Sequence, residues 1–265
     1  MRPCRAFTRL PSPARRTRSR TFMRISSLPV GLSRPSSQQL SLWHKNHPMN
    51  NRAVDAVIFD LGGVIMRNGS PRDFTQQYPD HDPAYIAELI MGPHHLDTDH
   101  PWHQVERGEI SFAQCREMTQ QLLAAAGVTP PARSPKESTS ARSSFAFELN
   151  DDMVAFIHDL RSADIPTAIL TNNVREFRQW WWPLLDFDAL FTTIVDSHEV
   201  GMRKPNPAIY QLTLDRLGVS ATRAAFLDDL HANVVAASAV GLHGIHVEPD
   251  SMPAIQHART LAGLA

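Results

Sequence analysis

Cysteines and long apolar runs are scarce in this sequence of 265 residues, and each scarcity excludes a class of protein. The two cysteines, Cys4 and Cys115, cannot form a disulfide framework, and neither belongs to a short metal-binding spacing of Cys or His. No apolar run approaches the roughly 20 residues that a membrane-spanning helix requires. We therefore expect a protein of a reducing compartment, the cytoplasm, with no membrane partner.

Acidic residues are missing from the first 50 residues, which contain nine Arg and one Lys. The rest of the sequence has 16 basic and 27 acidic residues, a net charge near −11. The Arg- and Ser-rich composition predicts a disordered leader over residues 1–50. It is either a transit peptide, which would place the protein in mitochondria, or sequence upstream of a start at Met49, which we prefer. Nucleic-acid binding is less favoured, because no basic motif with interleaved aromatic residues follows.

The first strong structural signal is an apolar run from Val54 to Phe59, which predicts a strand buried on both faces. Asp60 comes directly after this run, and two glycines follow at positions 62 and 63. A carboxylate at the end of a parallel strand stands where open α/β sheets bind ligands. An Asp that caps a turn explains this segment equally well, so the choice depends on later segments.

Strands and helices alternate regularly after residue 150. Further strands are predicted at 165–170, 191–195, 224–227 and 245–247. Helices are predicted at 151–161, 174–182 and 206–217, and from residue 230 to Val240. Such alternation is typical of an α/β fold with a doubly wound parallel sheet and right-handed crossovers.

The segment from 66 to 147 lacks strand patterning, and we expect it to form a small helical cap inserted after the first strand. Helices are predicted at 84–91 and 111–126. Residues 129–144 are rich in Pro, Ser and Ala and predict a flexible linker. The core then comprises residues 51–65 and 148–265.

Two other segments of the sequence invite a functional interpretation. Residues 92–103 contain four His and two Asp, but their spacing matches no familiar ligand pattern, and two prolines argue against a shared helical face. A solvated or substrate-facing loop is therefore favoured over a metal site. The tryptophans at 180–182 favour a packing seam over base or sugar stacking. Cap residues that are candidates for substrate contact are Arg67, His95, His100 and Trp102.

Polar residues follow three of the predicted strands, and a basic loop completes the set. These residues are Asp60, Thr171, Asn172, Lys204, Asp228 and Asp229. Carboxylates gathered at one edge of the sheet repel one another, and Mg²⁺ relieves that conflict because it prefers a few oxygen ligands and shares substrate phosphate. Hydroxyl, amide and ammonium groups suit phosphate oxygens. Each residue alone fits a cap or a surface charge, but together they predict carboxylate attack on phosphorus by Asp60.

The order and spacing of four segments resemble the haloacid dehalogenase-like (HAD) hydrolase superfamily. They are Phe-Asp-Leu-Gly-Gly-Val at 59–64, Leu-Thr-Asn-Asn at 170–173, the Lys-Pro block at 201–210 and the Asp-Asp segment at 226–234. The first and third segments, and cap residues 102–111, are most similar to the branch containing epoxide-hydrolase N-terminal phosphatase domains and sugar-phosphate phosphatases.

The resemblance implies a Rossmann-like core, Asp60 as nucleophile and Lys204 as a second catalytic residue. It further implies a Mg²⁺ site and a phosphate site. The implied metal ligands are Asp60, the Gly62 carbonyl, Asp228 (directly or through water) and Asp229. The implied substrate-binding residues are Leu61, Gly62, Thr171, Asn172 and Lys204.

One position departs from the superfamily pattern. HAD phosphatases commonly carry a second Asp, a general acid/base, two residues after the nucleophile, and here that residue is Gly62. General acid–base help is worth roughly 10²–10⁴-fold, so we expect slow turnover unless the leaving group is good or the cap supplies an acid.

The predicted function is a Mg²⁺-dependent phosphatase for a small phosphorylated metabolite, acting as a monomer or homodimer without nucleic acid. Two alternatives remain open. One is metal-independent carbon–halogen hydrolysis by Asp60, which the adjacent acids Asp228 and Asp229 disfavour. The other is a catalytically weak binding or regulatory domain.

Overall fold

The computed structural model describes residues 52–67, 75, 77–129 and 147–264. The predicted leader, and the predicted linker apart from residue 129, lie outside the described residues. The division into a core and a cap therefore stays a prediction, although the described helices between the first two strands can be compared with it. Among the described residues, no helix is both long enough and apolar enough to cross a membrane.

Five parallel strands form one sheet in the spatial order β3-β2-β1-β4-β5. They are β1 (Ala56–Phe59), β2 (Thr167–Thr171), β3 (Thr193–Asp196), β4 (Ala224–Asp228) and β5 (His243–His246). All residues of β1, β2 and β4 are buried, as expected for central strands with helices on both faces. The predicted doubly wound α/β fold is confirmed, and the chain order reverses between β1 and β4.

Ten α-helices occur among the described residues. They are α1 (Pro83–Met91), α2 (Pro101–Glu106), α3 (Phe112–Ala125), α4 (Asp151–Ser162), α5 (Arg178–Trp181), α6 (Phe187–Leu190), α7 (Ser197–Val200), α8 (Pro207–Leu217), α9 (His231–Val240) and α10 (Met252–Ala262). Short 3₁₀ helices occur at Arg175–Phe177, Trp182–Leu184 and Ala221–Arg223.

Helices α1 to α3 lie between β1 and β2 in the chain and form the helical insert. Ile86 and Leu123 belong to a small apolar cluster of the insert, separate from the two clusters that cover the sheet. The predicted helices at 84–91 and 111–126 are confirmed, with Asp82 and Ser111 as N-caps. In α3 the Ser111 and Gln114 side chains form a reciprocal capping box.

The prediction of a continuous loop over 92–103 is wrong at its end. Pro101 opens α2, because proline has no amide hydrogen to lose in a first helical turn, and His100 is the N-cap. His103 lies within this helix and is fully buried. Pro101 therefore starts a helix here instead of preventing one.

The single helix predicted over 174–182 is also wrong in detail, because the segment divides into a 3₁₀ helix, α5 and a second 3₁₀ helix. Trp181 is buried against Phe187, whereas Trp180 is 41% exposed. The Arg178 guanidinium lies 4.3 Å from the centre of the Trp182 ring. The tryptophans thus take part in packing, as the sequence predicts.

Two apolar layers cover the faces of the sheet. Val57 and Phe59 of β1 belong to one layer, where Phe59 makes edge contacts with Phe156 and Phe191. Ile58 points the other way, into the layer that includes residues of α8 and α9. Burial of each large apolar side chain contributes about 1.5–3 kcal/mol. This packing fixes the strand ends at which the polar residues gather.

Candidate active site

The carboxyl ends of β1 and β4 bring Asp60 and Asp228 side by side. Phe59 pairs with Leu227 in the parallel register, and the Asp60 amide donates a hydrogen bond to the Leu227 carbonyl at 2.9 Å. Asp229 follows directly, and one carboxylate oxygen from each of the three acids lies within 4.8 Å of the others. Within the described residues, this is the only group of three potential metal-binding side chains so close together.

Lys204 lies between two of these acids. Its Nζ atom is 2.9 Å from Asp60 Oδ1 and 2.6 Å from Asp228 Oδ2, and the side chain has no exposed surface. Burial opposes the charged ammonium, but the attraction of Asp228 and Asp60 is stronger and raises the pKa of Lys204. One positive charge therefore partly offsets three clustered carboxylates.

Asn172 holds the backbone of Lys204 from the neighbouring strand end. Its Nδ2 donates to the Lys204 carbonyl at 2.9 Å, and its Oδ1 accepts from the Lys204 amide at 2.8 Å. The predicted phosphate donor thus makes a two-way clamp on the lysine. Thr171, the last residue of β2, is buried, and no hydrogen bond of its hydroxyl occurs within the described residues. Its predicted role in phosphate binding stays a prediction.

The backbone turns sharply after Asp60. The Leu61 amide donates to Asp60 Oδ1 at 2.7 Å, and the Met66 amide donates to the Leu61 carbonyl at 2.8 Å. Gly62 forms an isolated bridge with Met66. Gly63 adopts a φ of 72°, and a Cβ atom there would overlap the Asp229 carboxylate. Only glycine allows the backbone to pass this close to the acid.

The electrostatics of the site favour a bound cation. Burial raises the pKa of Asp60 to about 7, with Lys204 opposing the rise and Asp228 adding to it. Burial also raises the pKa of Asp229 to about 8, and Asp228 and Asp60 contribute to that rise. Carboxylates whose ionised forms are this disfavoured gain most from a nearby positive charge.

The residues present fit a Mg²⁺ ion. Hard oxygen ligands converge, the backbone of Gly63 leaves room beside Asp229, and the raised carboxyl pKa values mark uncompensated negative charge. Asp60, Asp228, Asp229 and the Gly62 carbonyl would hold the ion. Bound there, Mg²⁺ neutralises negative charge on an anionic substrate.

Sequence reasoning missed Asn233. This residue lies in the first turn of α9, and its Nδ2 is 3.1 Å from both oxygens of Asp228. Its carbonyl accepts the Tyr210 hydroxyl at 3.0 Å. Asp228 also accepts the Leu230 amide at 2.8 Å, so its carboxylate is fixed from several sides. The signal in the sequence that could have indicated Asn233 is its position five residues after Asp228, across the start of a helix.

The candidate cap residues lie in different settings. His95 lines a cleft of about 310 Å³ together with Asp97 and residues 205–207, next to Lys204 in the chain. His100 Nδ1 instead accepts the Trp102 amide, and Trp102 Nε1 donates to Glu106 Oε1 at 2.8 Å. Arg67 has a backbone bond to the Glu148 carbonyl. Of these four, His95 alone lines this cleft.

The fold and the sequence motifs of this chain have counterparts in known proteins. Residues 54–241 match the haloacid dehalogenase-like hydrolase family. The chain is 31% identical over 201 residues to acyl-CoA dehydrogenase family member 10 of Mus musculus, covering 74% of this chain and 18% of that protein. It is 26% identical over 212 residues to the sesquiterpene phosphatase astK of Aspergillus oryzae, covering 78% of this chain and 96% of the relative.

A solved HAD family enzyme from Bacteroides thetaiotaomicron, in complex with magnesium and inorganic phosphate, has the same fold. The comparison of the two structures gives a TM-score of 0.53 and a sequence identity of 19%. It covers 74% of this chain and 96% of the chain of that enzyme. The chain spans less than a fifth of the mouse relative, but almost the full length of the fungal phosphatase. The resemblance of the four sequence segments is confirmed, and the chain belongs to the haloacid dehalogenase-like hydrolase family.

Proposed function

We propose that this hydrolase is a Mg²⁺-dependent phosphatase that acts on a small phosphorylated metabolite through an aspartyl-phosphate. The observation that carries the proposal is the group of three carboxylates at the ends of β1 and β4, with the Lys204 ammonium in contact with two of them. Preorganised positive charge in a buried site stabilises the charge that develops during phosphoryl transfer. The similarity to a fungal phosphatase along almost its full length supports the same assignment.

Asp60 is suited to nucleophilic attack. Its Oδ1 accepts the Leu61 amide and contacts Lys204, whereas no hydrogen bond reaches Oδ2 within the described residues. In the first step, an Oδ2 lone pair forms a bond to phosphorus, and the bond from phosphorus to the ester oxygen breaks. In the second step, water attacks phosphorus, the aspartyl bond breaks, and inorganic phosphate leaves.

The protons in this scheme are exchanged with solvent, because Gly62 has no side chain that can act as an acid or base. The leaving oxygen takes a proton from water in the first step, and the attacking water gives one up in the second. Substrates whose leaving groups are weakly basic need this help least. We therefore expect aryl phosphates to be hydrolysed faster than alkyl phosphates.

The test is phosphate release from a panel of phosphate esters with and without Mg²⁺, on the wild type and on Asp60→Asn. We expect metal-dependent release that the substitution lowers by at least 10³-fold, in line with the loss of a nucleophile. Asp55→Asn is the matched control, because Asp55 lies just before the same strand and pairs with Arg223. Release of halide from haloacids without metal would support the dehalogenase instead. No turnover, with phosphate still bound, would support a binding domain.

A further inference from the structure

A buried ion pair joins the helical insert to the residue that precedes Lys204. Arg203 Nε donates to Glu106 Oε2 at 2.7 Å, and Arg203 Nη1 donates to the Leu96 carbonyl at 2.7 Å. The Arg203 side chain is 3% exposed and that of Glu106 is 9% exposed. A charge-assisted hydrogen bond in such a setting is strong. If Glu106 loses its charge, Arg203 keeps only a more distant acidic partner, Asp97, whose Oδ1 lies 4.0 Å from Nη1.

The insert holds Glu106 in turn. Glu106 is the last residue of α2, and its second oxygen, Oε1, accepts the Trp102 indole at 2.8 Å. The Trp102 ring makes an edge contact with Phe112 at the start of α3. Both carboxylate oxygens are thus engaged, one within the insert and one with the core.

Lys204 is therefore fixed from two sides. Asn172 clamps its backbone from the end of β2, and Arg203, the adjacent residue, is anchored to the insert. The two side chains serve different partners, because Arg203 contacts the insert while Lys204 reaches Asp60 and Asp228. A small movement of the Arg203 anchor moves the peptide that carries the ammonium.

We propose that Arg203 and Glu106 are positioning residues that hold Lys204 against Asp60, so that the reaction rate depends on the docked insert. The inference rests on the proposed function for its kinetic consequence, but not for its structural one. Neither residue contacts the three carboxylates in the described structure. They act through the backbone between Arg203 and Lys204.

The decisive variant is Glu106→Gln, which keeps the size of the side chain and removes its charge. Glu109→Gln is the matched control, because it makes the same chemical change at an ion pair with Arg107 that lies inside the insert. Two quantities are measured: hydrogen exchange of the backbone amides in 201–206, and steady-state kinetics with an aryl phosphate.

We expect Glu106→Gln to speed exchange in 201–206 and to lower kcat by roughly ten- to hundredfold, with KM changed less than threefold. Glu109→Gln should leave both quantities near the wild-type values. Arg203→Gln should behave as Glu106→Gln does, and the double variant should be no slower than the slower single variant.

Unchanged exchange and unchanged kcat in a folded Glu106→Gln protein would overturn the proposal. So would equal effects of Glu106→Gln and Glu109→Gln, since that result indicates a general loss of insert stability. If Glu106→Gln does not fold, Trp102→Phe removes the indole donor to Glu106 together with part of the ring, and a smaller change of the same kind is expected. If the wild type releases no phosphate, the proposed function fails, and the exchange experiment still tests the coupling.

Discussion

Gly63 lies at the closest approach between the backbone and the acidic cluster. Its φ of 72° belongs to the left-handed region, and a methyl group there would overlap the Asp229 carboxylate. Both facts disfavour any other residue, but they act on different properties. The backbone angle affects stability at any glycine of this kind, whereas the overlap affects Asp229, one of the proposed metal ligands.

Gly63→Ala should therefore abolish Mg²⁺ binding as well as lower the free energy of unfolding. Gly218→Ala is the control, because Gly218 has a φ of 70° with no atom within 4 Å of the added methyl group. Both variants should lose about 1–2 kcal/mol of stability from the backbone angle. The rise in melting temperature on addition of Mg²⁺ should persist in Gly218→Ala and vanish in Gly63→Ala. An equal Mg²⁺ response in the two variants would contradict the assignment of Asp229 as a ligand.

The individual site residues divide into those that the sequence could indicate and those that it could not. Asp60 and Asp228 stand out because charged residues are unexpected at the ends of apolar strands, and Lys204 stands out as part of a basic loop. The clamp made by Asn172 depends on a partner 32 positions away, and the ion pair of Arg203 on a partner 97 positions away. Local spacing carries no information about such partners, because the fold alone brings them together.

Helix starts with a capping side chain were predictable. Ser111, Asn150 and Asn206 each accept a backbone amide within the first turn, and their helices begin where the sequence indicates. Helices α2 and α10 escaped prediction although each has a proline in its first turn. Proline marks both a break and a start, and only the packing of the following residues distinguishes the two.

The start of β2 was predicted two residues too early, because a buried turn precedes the strand. Asp164 adopts a left-handed φ of 54°, and the Ile165 amide bonds back to the Leu160 carbonyl. These residues close the helix α4 before the strand begins. The apolar Ile165 is buried at this turn, and a sequence pattern cannot separate burial at a turn from burial in a strand.

Helix α2 carries a buried histidine that makes the insert sensitive to acid. His103 is fully buried, and its Nδ1 accepts the Thr98 amide at 3.1 Å. Burial, followed by the charge of Arg203, lowers the pKa of His103 to about 3 from 6.5. The folded protein thus binds fewer protons than the unfolded chain between these values, so stability falls as the pH drops below 6.5.

We expect His103 to account for about 1.5 kcal/mol of lost unfolding free energy between pH 6.5 and about pH 5. Urea denaturation at several pH values measures how the free energy of unfolding changes with pH. In His103→Gln the loss between pH 6.5 and about pH 5 should be smaller by about 1.5 kcal/mol. A variant His103→Gln with the wild-type slope would show that the imidazole is protonated in the folded state.

The charge of the chain is distributed unevenly along its length. Although the total is −1, the sequence after residue 50 carries 16 basic and 27 acidic residues. A chain that starts at Met49 is therefore strongly anionic at neutral pH. Long-range repulsion of this kind lowers the local concentration of an anionic substrate and is screened by salt.

On the proposed function, kcat/KM of the chain from Met49 for a phosphate monoester should rise roughly twofold as ionic strength increases from about 0.01 to 0.15 M. The full chain, which has ten more positive charges, should show a weaker rise. Initial rates at constant Mg²⁺ and low substrate concentration provide the measurement. A fall in kcat/KM with salt for the shorter chain would mean that local positive charge governs substrate capture.

The strand order also sets the time at which the acidic cluster can form. Asp60 directly follows the first strand, but its neighbour Asp228 ends the fourth, and β2 and β3 are synthesised in between. Until β4 emerges from the ribosome and joins the open edge of β1, the repelling carboxylates remain apart. A pairing of such long sequence separation is slow to form. The acidic cluster is therefore complete only after most of the chain has been translated, and we expect a nascent chain that ends before β4 to lack the proposed activity.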